Sequence, residues 1–233
     1  MPDAGVDYGF LTCNNIPLMN PKVISRARLG AGSALSVVLL SGAYAVDVAG
    51  ERLNSDAIRT RFGSYGVRVL EQDRQRRLAS LFSSHEGGEI TRTLALTKFT
   101  VPVAPALQVI DRDIRAGASL GATLREAGWQ VIKSGAIECL GKAGGFFAGM
   151  AGDGVTPESP ILLRAYGLSA SRDDANIDYA TIAEAYHPQH IAPPTQPACE
   201  SVATNSESTD QRFTALTELL KAMHWQQSQL PEG

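Results

Sequence analysis

The chain predicts an α+β domain built on an antiparallel sheet with covering helices. Three observations carry that reading. Strand-like segments dominate and helical ones are few. Successive strand segments are joined by short polar or glycine turns, which suit hairpins. The regular strand–helix–strand alternation of a parallel sheet is absent.

Taken in order, the first element is a helix over Asn54–Phe62, with a capping residue at its start and Gly63 as its stop. A strand follows at Val67–Leu70. Leu78–Phe82 and Ile90–Phe99 then form a hairpin around His85-Glu-Gly-Gly88, because β-branched and aromatic residues flank a Gly-Gly turn. After Val101-Pro102 comes a short helical stretch around Val109–Arg115. A second capped helix starts at Ser119 and runs to Ala127 before Gly128, and Trp129–Ile132 reads as a strand. The sequence helix, Gly, aromatic, strand thus occurs twice, and we read this as convergent local chemistry. Residues 141–154 read as a Gly-rich mobile loop, a flap suited to covering a pocket. Ile161–Ser171 and Asp178–His187 are two long closing strands joined by the polar turn 172–176, and the alternation in the first predicts one covered face.

Composition shifts beyond His190. Residues 192–211 are rich in Pro, Ser, Thr and Asn and predict a flexible linker. Phe213, Leu216, Leu220 and Met223 then recur at helical spacing in a short C-terminal helix within residues 212–233.

At the other end, Met19–Arg28 is a basic stretch leading into the apolar run Leu29–Leu40. Ala43-Tyr-Ala45 then supplies small residues at a cleavage site. That order is the layout of a secretory signal peptide. Residues 1–18 read as an overlong start, Val46 as the first mature residue, and residues 46–191 as a single domain. The apolar run is shorter than the roughly 20 residues a bilayer span needs, so no anchor is expected after cleavage. The expected location is periplasmic or secreted. Cleavage removes Lys22, Arg26, Arg28, Asp3 and Asp7 and leaves a formal charge of −4. Nucleic-acid binding is not expected, because it normally leaves a basic footprint. Cleavage also removes Cys13. Cys139 and Cys199 would remain, as one disulfide or as two thiols.

Few residue patterns carry chemistry. Gly141-Lys-Ala-Gly-Gly145 fits neither a P-loop nor a dinucleotide fingerprint. His187-x-x-His190 lies at a strand end beside Pro188 and has no third ligand near it in sequence, so we expect no metal. No cofactor motif is present. Three charged residues on expected strands stand out instead: Arg77, Arg92 and Glu184. A charge on a strand faces solvent or lines a cavity, because charged side chains are almost never fully buried without partners.

The order of elements resembles the chorismate lyase and UTRA ligand-binding family over about residues 52–191. The resemblance runs through the helix and strand of Ser55–Leu70, the hairpin opening at Arg77-Leu-Ala-Ser-Leu and the Arg92-Thr93 strand leading to Val101-Pro102. It continues through Ala118-Ser-Leu-Gly-Ala-Thr-Leu124 and the final strand with Glu184 before Pro188. It implies a small-ligand cavity in which Arg77, with Arg76 as the alternative, grips a carboxylate. Glu184 would sit near a ring hydroxyl. In chorismate lyases the implied reaction removes pyruvate from chorismate to leave 4-hydroxybenzoate without a metal, with Glu184 the candidate catalytic residue. Chorismate is a cytosolic metabolite and this chain carries an export signal. The expectation is therefore an exported protein that binds a small aromatic or carboxylated molecule at Arg77, Arg92 and Glu184. An exported lyase on chorismate or another enol-pyruvyl compound is the alternative. A domain without a small-molecule site, recruiting a protein partner, is the second.

Overall fold

Six long antiparallel strands form one sheet in the computed structural model, which describes residues 52–152, 154–193, 200–201 and 206–224. The expected leader and cleavage site, Cys199 and half of the expected linker lie outside the described residues. In chain order the elements are α1 (Asn54–Phe62), β1 (Gly66–Gln72), β2 (Arg76–His85), β3 (Gly88–Phe99), α2 (Gln108–Arg115) and α3 (Leu120–Glu126). They continue with β4 (Gln130–Lys142), α4 (Gly144–Ala151), β5 (Pro160–Arg172), β6 (Ala175–Tyr186), β7 (Glu200–Ser201) and α5 (Ser206–Met223). The strand order is β1-β2-β3-β6-β5-β4, with the two-residue β7 on the outer edge of β4. No described helix is long and apolar enough to cross a membrane.

The sheet consists of two meanders, β1-β2-β3 and β4-β5-β6, joined along β3 and β6. A helix ending at a glycine precedes each. The central hairpins repeat in detail at an offset of 87 residues. His85 pairs with Gly88 as Arg172 pairs with Ala175, and the register shift at Leu81/Phe82 recurs at Leu168/Ser169. The twice-occurring helix–Gly–aromatic–strand pattern thus opens two halves of like topology, a helix followed by a three-stranded meander, which only strand pairing reveals.

Side chains alternate across each strand, so the sheet has two faces, and both are covered. On one face Leu78, Leu94, Leu96, Leu163, Ala165, Ala183 and Ala185 pack against Phe147 and Ala151 of α4 and Leu216, Leu219 and Met223 of α5. Lys98 pairs with Glu218 at 2.6 Å at the margin of this layer. On the other face Phe99, Tyr166, Leu168, Ala180 and Ile182 meet Leu107, Ile110 and Ile114 of α2 and its approach, with Leu124 of α3. Burying a large apolar side chain contributes about 1.5–3 kcal/mol, so each layer anchors its helices strongly.

Three expectations change. The stretch read as a Gly-rich loop contains a helix, α4, despite the poor propensity of glycine. The fully buried Phe147 ties it to the core and outweighs propensity. Gly144 has φ +68, and a Cβ there would sit 2.5 Å from the Met223 carbonyl oxygen. The glycine is what lets α4 begin against the end of α5. Second, β4 is 13 residues long and continues well past Ile132. Third, the C-terminal helix begins at Ser206, inside the expected linker, and ends at Met223. Phe213 is exposed; Ala215 and Leu219 join Leu216 and Met223 in the buried stripe.

Candidate functional site

The face covered by α1, α2 and α3 holds a cavity of about 80 Å³. One water needs roughly 10–15 Å³ on that measure, so the space suits a compact molecule and not a nucleotide or a peptide. Its floor follows from register. Arg77 pairs with Thr97, which pairs with Ile182, which pairs with Tyr166; in the next row Ala79 pairs with Ala95, which pairs with Glu184. Arg77 and Glu184 are therefore two strands and one row apart, roughly 12 Å between Cα atoms from standard strand spacings. Ala79, Ala95 and Thr97 lie between them, and these small side chains leave the space open.

The roof is built from the start of α1 and the start of α3, with Leu53, Asn54, Ser55, Ser119 and Gly121 reaching the cavity. Three contacts join the two helices. Arg125 forms a two-pronged pair with Asp56, the Tyr65 and Ser119 hydroxyls meet at 3.0 Å, and Leu53 packs over Gly121. A Cβ on Gly121 would lie 2.9 Å from the Leu53 side chain. The sequence marks Asn54 and Ser119 as helix caps. Neither side chain caps its helix; both are spent on the cavity instead.

Arg77 is 4% exposed. Its Nη1 donates to the carbonyls of Ile114 (2.8 Å) and Ala118 (2.9 Å), at the C-terminal end of α2 where the helix dipole is negative. Those two bonds use both Nη1 protons. Among the described residues the Nε–Nη2 edge has no acceptor and Arg77 has no carboxylate partner. Burial holds its guanidinium below the ordinary value, while Tyr65 and Tyr179 act in the opposite sense. The Nε–Nη2 edge presents two nearly parallel donors, which match the two oxygens of a carboxylate.

Glu184 is 3% exposed. Oε1 accepts from Asn54 Nδ2 at 2.9 Å, and Oε2 accepts from the hydroxyls of Tyr166 (3.0 Å) and Tyr186. An ionised carboxylate has about four acceptor positions. Three are filled, so Oε1 keeps room for one further donor. No described cation pairs with Glu184. Lys133 also lines the cavity, with its ammonium 4.9 Å from the Tyr166 ring centre.

The other candidates separate from this group. Arg76, the alternative to Arg77, is directed to Glu71 and Asp73 and is half exposed. Arg92 is buried but does not line the cavity. It sits in the β3 bulge, where Leu81 pairs with Thr93 and Phe82 with Thr91. Its guanidinium stacks 3.8 Å from the Phe62 ring centre and donates to Ser83 and Gln189. The bulge turns its side chain toward Phe62, apart from the cavity that Arg77 and Glu184 line. His187 and His190 do not converge on one point: His187 Nε2 meets the Ala151 carbonyl and His190 Nε2 meets Asn54 Oδ1. Cys139 is buried on β4.

His190 carries a pH consequence. Burial holds its pKa at about 4, with Arg61, Arg92 and His187 adding to that fall and Glu184 opposing it. The folded ring therefore stays neutral between pH 6.5 and about 4, where the unfolded ring takes a proton. Stability is present above 6.5 and is lost as pH falls toward 4, by about 3 kcal/mol. His187, depressed mainly by burial, acts in the same direction. Denaturant unfolding from pH 7 to 4 should show this slope, and His190→Gln should flatten it. A wild-type curve that is flat over this window contradicts the burial of a neutral ring.

In comparisons with known proteins, the chain matches no family model, no curated protein and no solved structure.

Proposed function

We propose that the protein is an exported binder of a small aromatic or carboxylated acid, held in the cavity between the sheet and α1–α3. The carboxylate lies on the Nε–Nη2 edge of Arg77, and a hydroxyl or amine at the far end donates to Glu184 Oε1. One observation carries this reading: two buried, oppositely charged side chains with no ion-pair partner among the described residues line the same small cavity. Burying unpaired charges costs stability, and a ligand complementary to both offsets that cost. Cavity size supports a single-ring acid. The resemblance to the chorismate lyase and UTRA family supports it as well, because Arg77 and Glu184 are the two positions that resemblance carries over. Export rests on the leader.

Thermal shift and calorimetry with benzoate, 4-hydroxybenzoate and aliphatic acids test the proposal. Binding of an aromatic acid with raised melting temperature supports it; no response to any of them sinks it. The shared position of Arg77 and Glu184 also favours a lyase acting on chorismate or a related enol-pyruvyl compound. Pyruvate release from chorismate above the uncatalysed rate is the measurement that would move the reading from binder to enzyme.

A further inference from the structure

Asn54 is the first residue of α1 and lines the cavity. Its Nδ2 donates to Glu184 Oε1 at 2.9 Å and to Thr93 Oγ1 at 3.0 Å, which uses both amide protons. Its Oδ1 meets His190 Nε2 at 2.7 Å. The opposite amide orientation would set Oδ1 against Glu184 Oε1, acceptor against acceptor. The network therefore requires a proton on His190 Nε2, which leaves Nδ1 bare in a neutral ring. Nδ1 is buried and has no partner among the described residues.

The ring is fixed from several sides. Its own backbone N–H donates to the His187 carbonyl at 2.8 Å, and its carbonyl accepts from Arg61 at 2.9 Å. Phe62 and Tyr186 lie about 6 Å from it, centre to centre. β6 ends at Tyr186, and the hydrogen bond that the ring makes among the described residues goes to the Asn54 amide.

We propose that His190 acts through Asn54 as a positioning residue for Glu184, and that this relay gives the cavity its preference for an acid bearing a hydroxyl over the bare acid. His190 Nε2–H locks Asn54 with its donor side on Glu184. Asn54 then fills one position of Oε1 and leaves the other aimed at the ligand. Without that lock the amide can turn, and the open position on Glu184 is no longer fixed. The selectivity claim rests on the acid-binding reading of the cavity, whereas the relay itself does not.

Calorimetry on the full chain with 4-hydroxybenzoate and benzoate is the test. Wild type should favour 4-hydroxybenzoate. His190→Phe keeps an aromatic ring and loses the donor; it should reduce that preference by about tenfold, the worth of one good hydrogen bond, with benzoate affinity nearly unchanged. His190→Gln places an amide N–H at the reach of Nε2 and should restore most of the preference. An equal loss for both acids, or an unchanged preference, overturns the proposal, since a merely structural histidine would not discriminate between them. A ligand-free arm keeps the two readings apart. Long-range nitrogen NMR at pH 6 should find a neutral His190 ring protonated on Nε2. An Nδ1–H tautomer, which leaves Nε2 without a proton to donate, overturns the relay whatever binds. Failure of both acids to bind wild type would instead refute the acid-binding cavity and, with it, the selectivity claim.

Discussion

Arg77→Lys is expected to weaken binding of 4-hydroxybenzoate by about 30- to 150-fold, or about 2–3 kcal/mol, and Arg77→Ala by more. The guanidinium has two jobs in this structure. Nη1 closes the end of α2 through the carbonyls of Ile114 and Ala118, and the Nε–Nη2 edge faces the proposed ligand. A lysine ammonium is a single point of charge with three donors. It can keep a carbonyl or meet the ligand, but it cannot present a flat pair of donors to two oxygens while doing both. Arg77→Ala also strips one donor each from two carbonyls, and a fold cost of about 1–3 kcal/mol follows. Calorimetry on protein whose melting curve is still cooperative separates the two effects. The uncharged 4-hydroxybenzamide sharpens the comparison, because its weaker binding should change little in Arg77→Lys. Unchanged affinity for the acid in Arg77→Lys would reduce Arg77 to a helix cap and remove the site assignment.

The position of this arginine shows what was legible in the chain. Arg77 and Glu184 could be singled out as charges on expected strands. That they meet at one cavity was implied by the family resemblance alone, because it depends on β3 lying between β2 and β6, a pairing that local pattern does not encode. The α+β class and the starts of most elements followed from glycine stops and alternation. The length of β4 did not, since Ser134, Gly135 and Gly141 interrupt its apolar pattern. Helix α4 was hidden for a similar reason: its three glycines argue for a loop, and only burial of Phe147 against α5 overrides them. Asn54, Ser119 and His190 were missed for a different reason. Asn and Ser at helix starts have an ordinary explanation as caps, and the histidine invited a metal reading. The signal that could have found them is their excess: an Asn opening one helix and a Ser opening the other, at matching distances from Gly63 and Gly128.

Arg92 is the converse case. It met the same sequence criterion as Arg77 and proved to lie elsewhere. Both are buried arginines without a carboxylate partner among the described residues. A one-residue bulge separates their roles, since it turns Arg92 toward Phe62 and leaves Thr93, Ala95 and Thr97 on the cavity side. The equivalent bulge in the other hairpin carries Tyr179, whose hydroxyl donates to Asp111 at 2.7 Å. The repeated framework thus holds an asymmetric site. The 87-residue offset sets Arg77 against Arg164, and Arg164 is paired with Glu138.

Glu184→Leu is expected to cost about 3–6 kcal/mol of stability, because it removes the acceptor of three buried or half-buried donors at once. Leucine nearly fills the volume, so the cost comes from stranded donors and not from a void. Asn54 loses the acceptor of one proton, and the hydroxyls of Tyr166 and Tyr186 lose theirs. Glu184→Gln should be much milder. If the new amide nitrogen takes the place of Oε2, both tyrosine hydroxyls can turn and accept from it, while the remaining oxygen still accepts from Asn54. The reverse placement would set donor against donor at Asn54 and is disfavoured. Gln therefore keeps the acceptor facing the ligand but loses its charge, and a charge-assisted hydrogen bond is roughly twice as strong as a neutral one. The preference for 4-hydroxybenzoate over benzoate should fall several-fold in Glu184→Gln without disappearing. Denaturant unfolding of both variants checks the ranking. A Glu184→Leu protein as stable as wild type would mean that the carboxylate does not hold those donors. The stability argument has its own control. Adding Tyr166→Phe and Tyr186→Phe to Glu184→Leu removes two of the stranded hydroxyls, and an apolar replacement that leaves no partner behind is often well tolerated. The triple variant should therefore recover part of the loss, and a further fall in stability would count against the proposed origin of that loss.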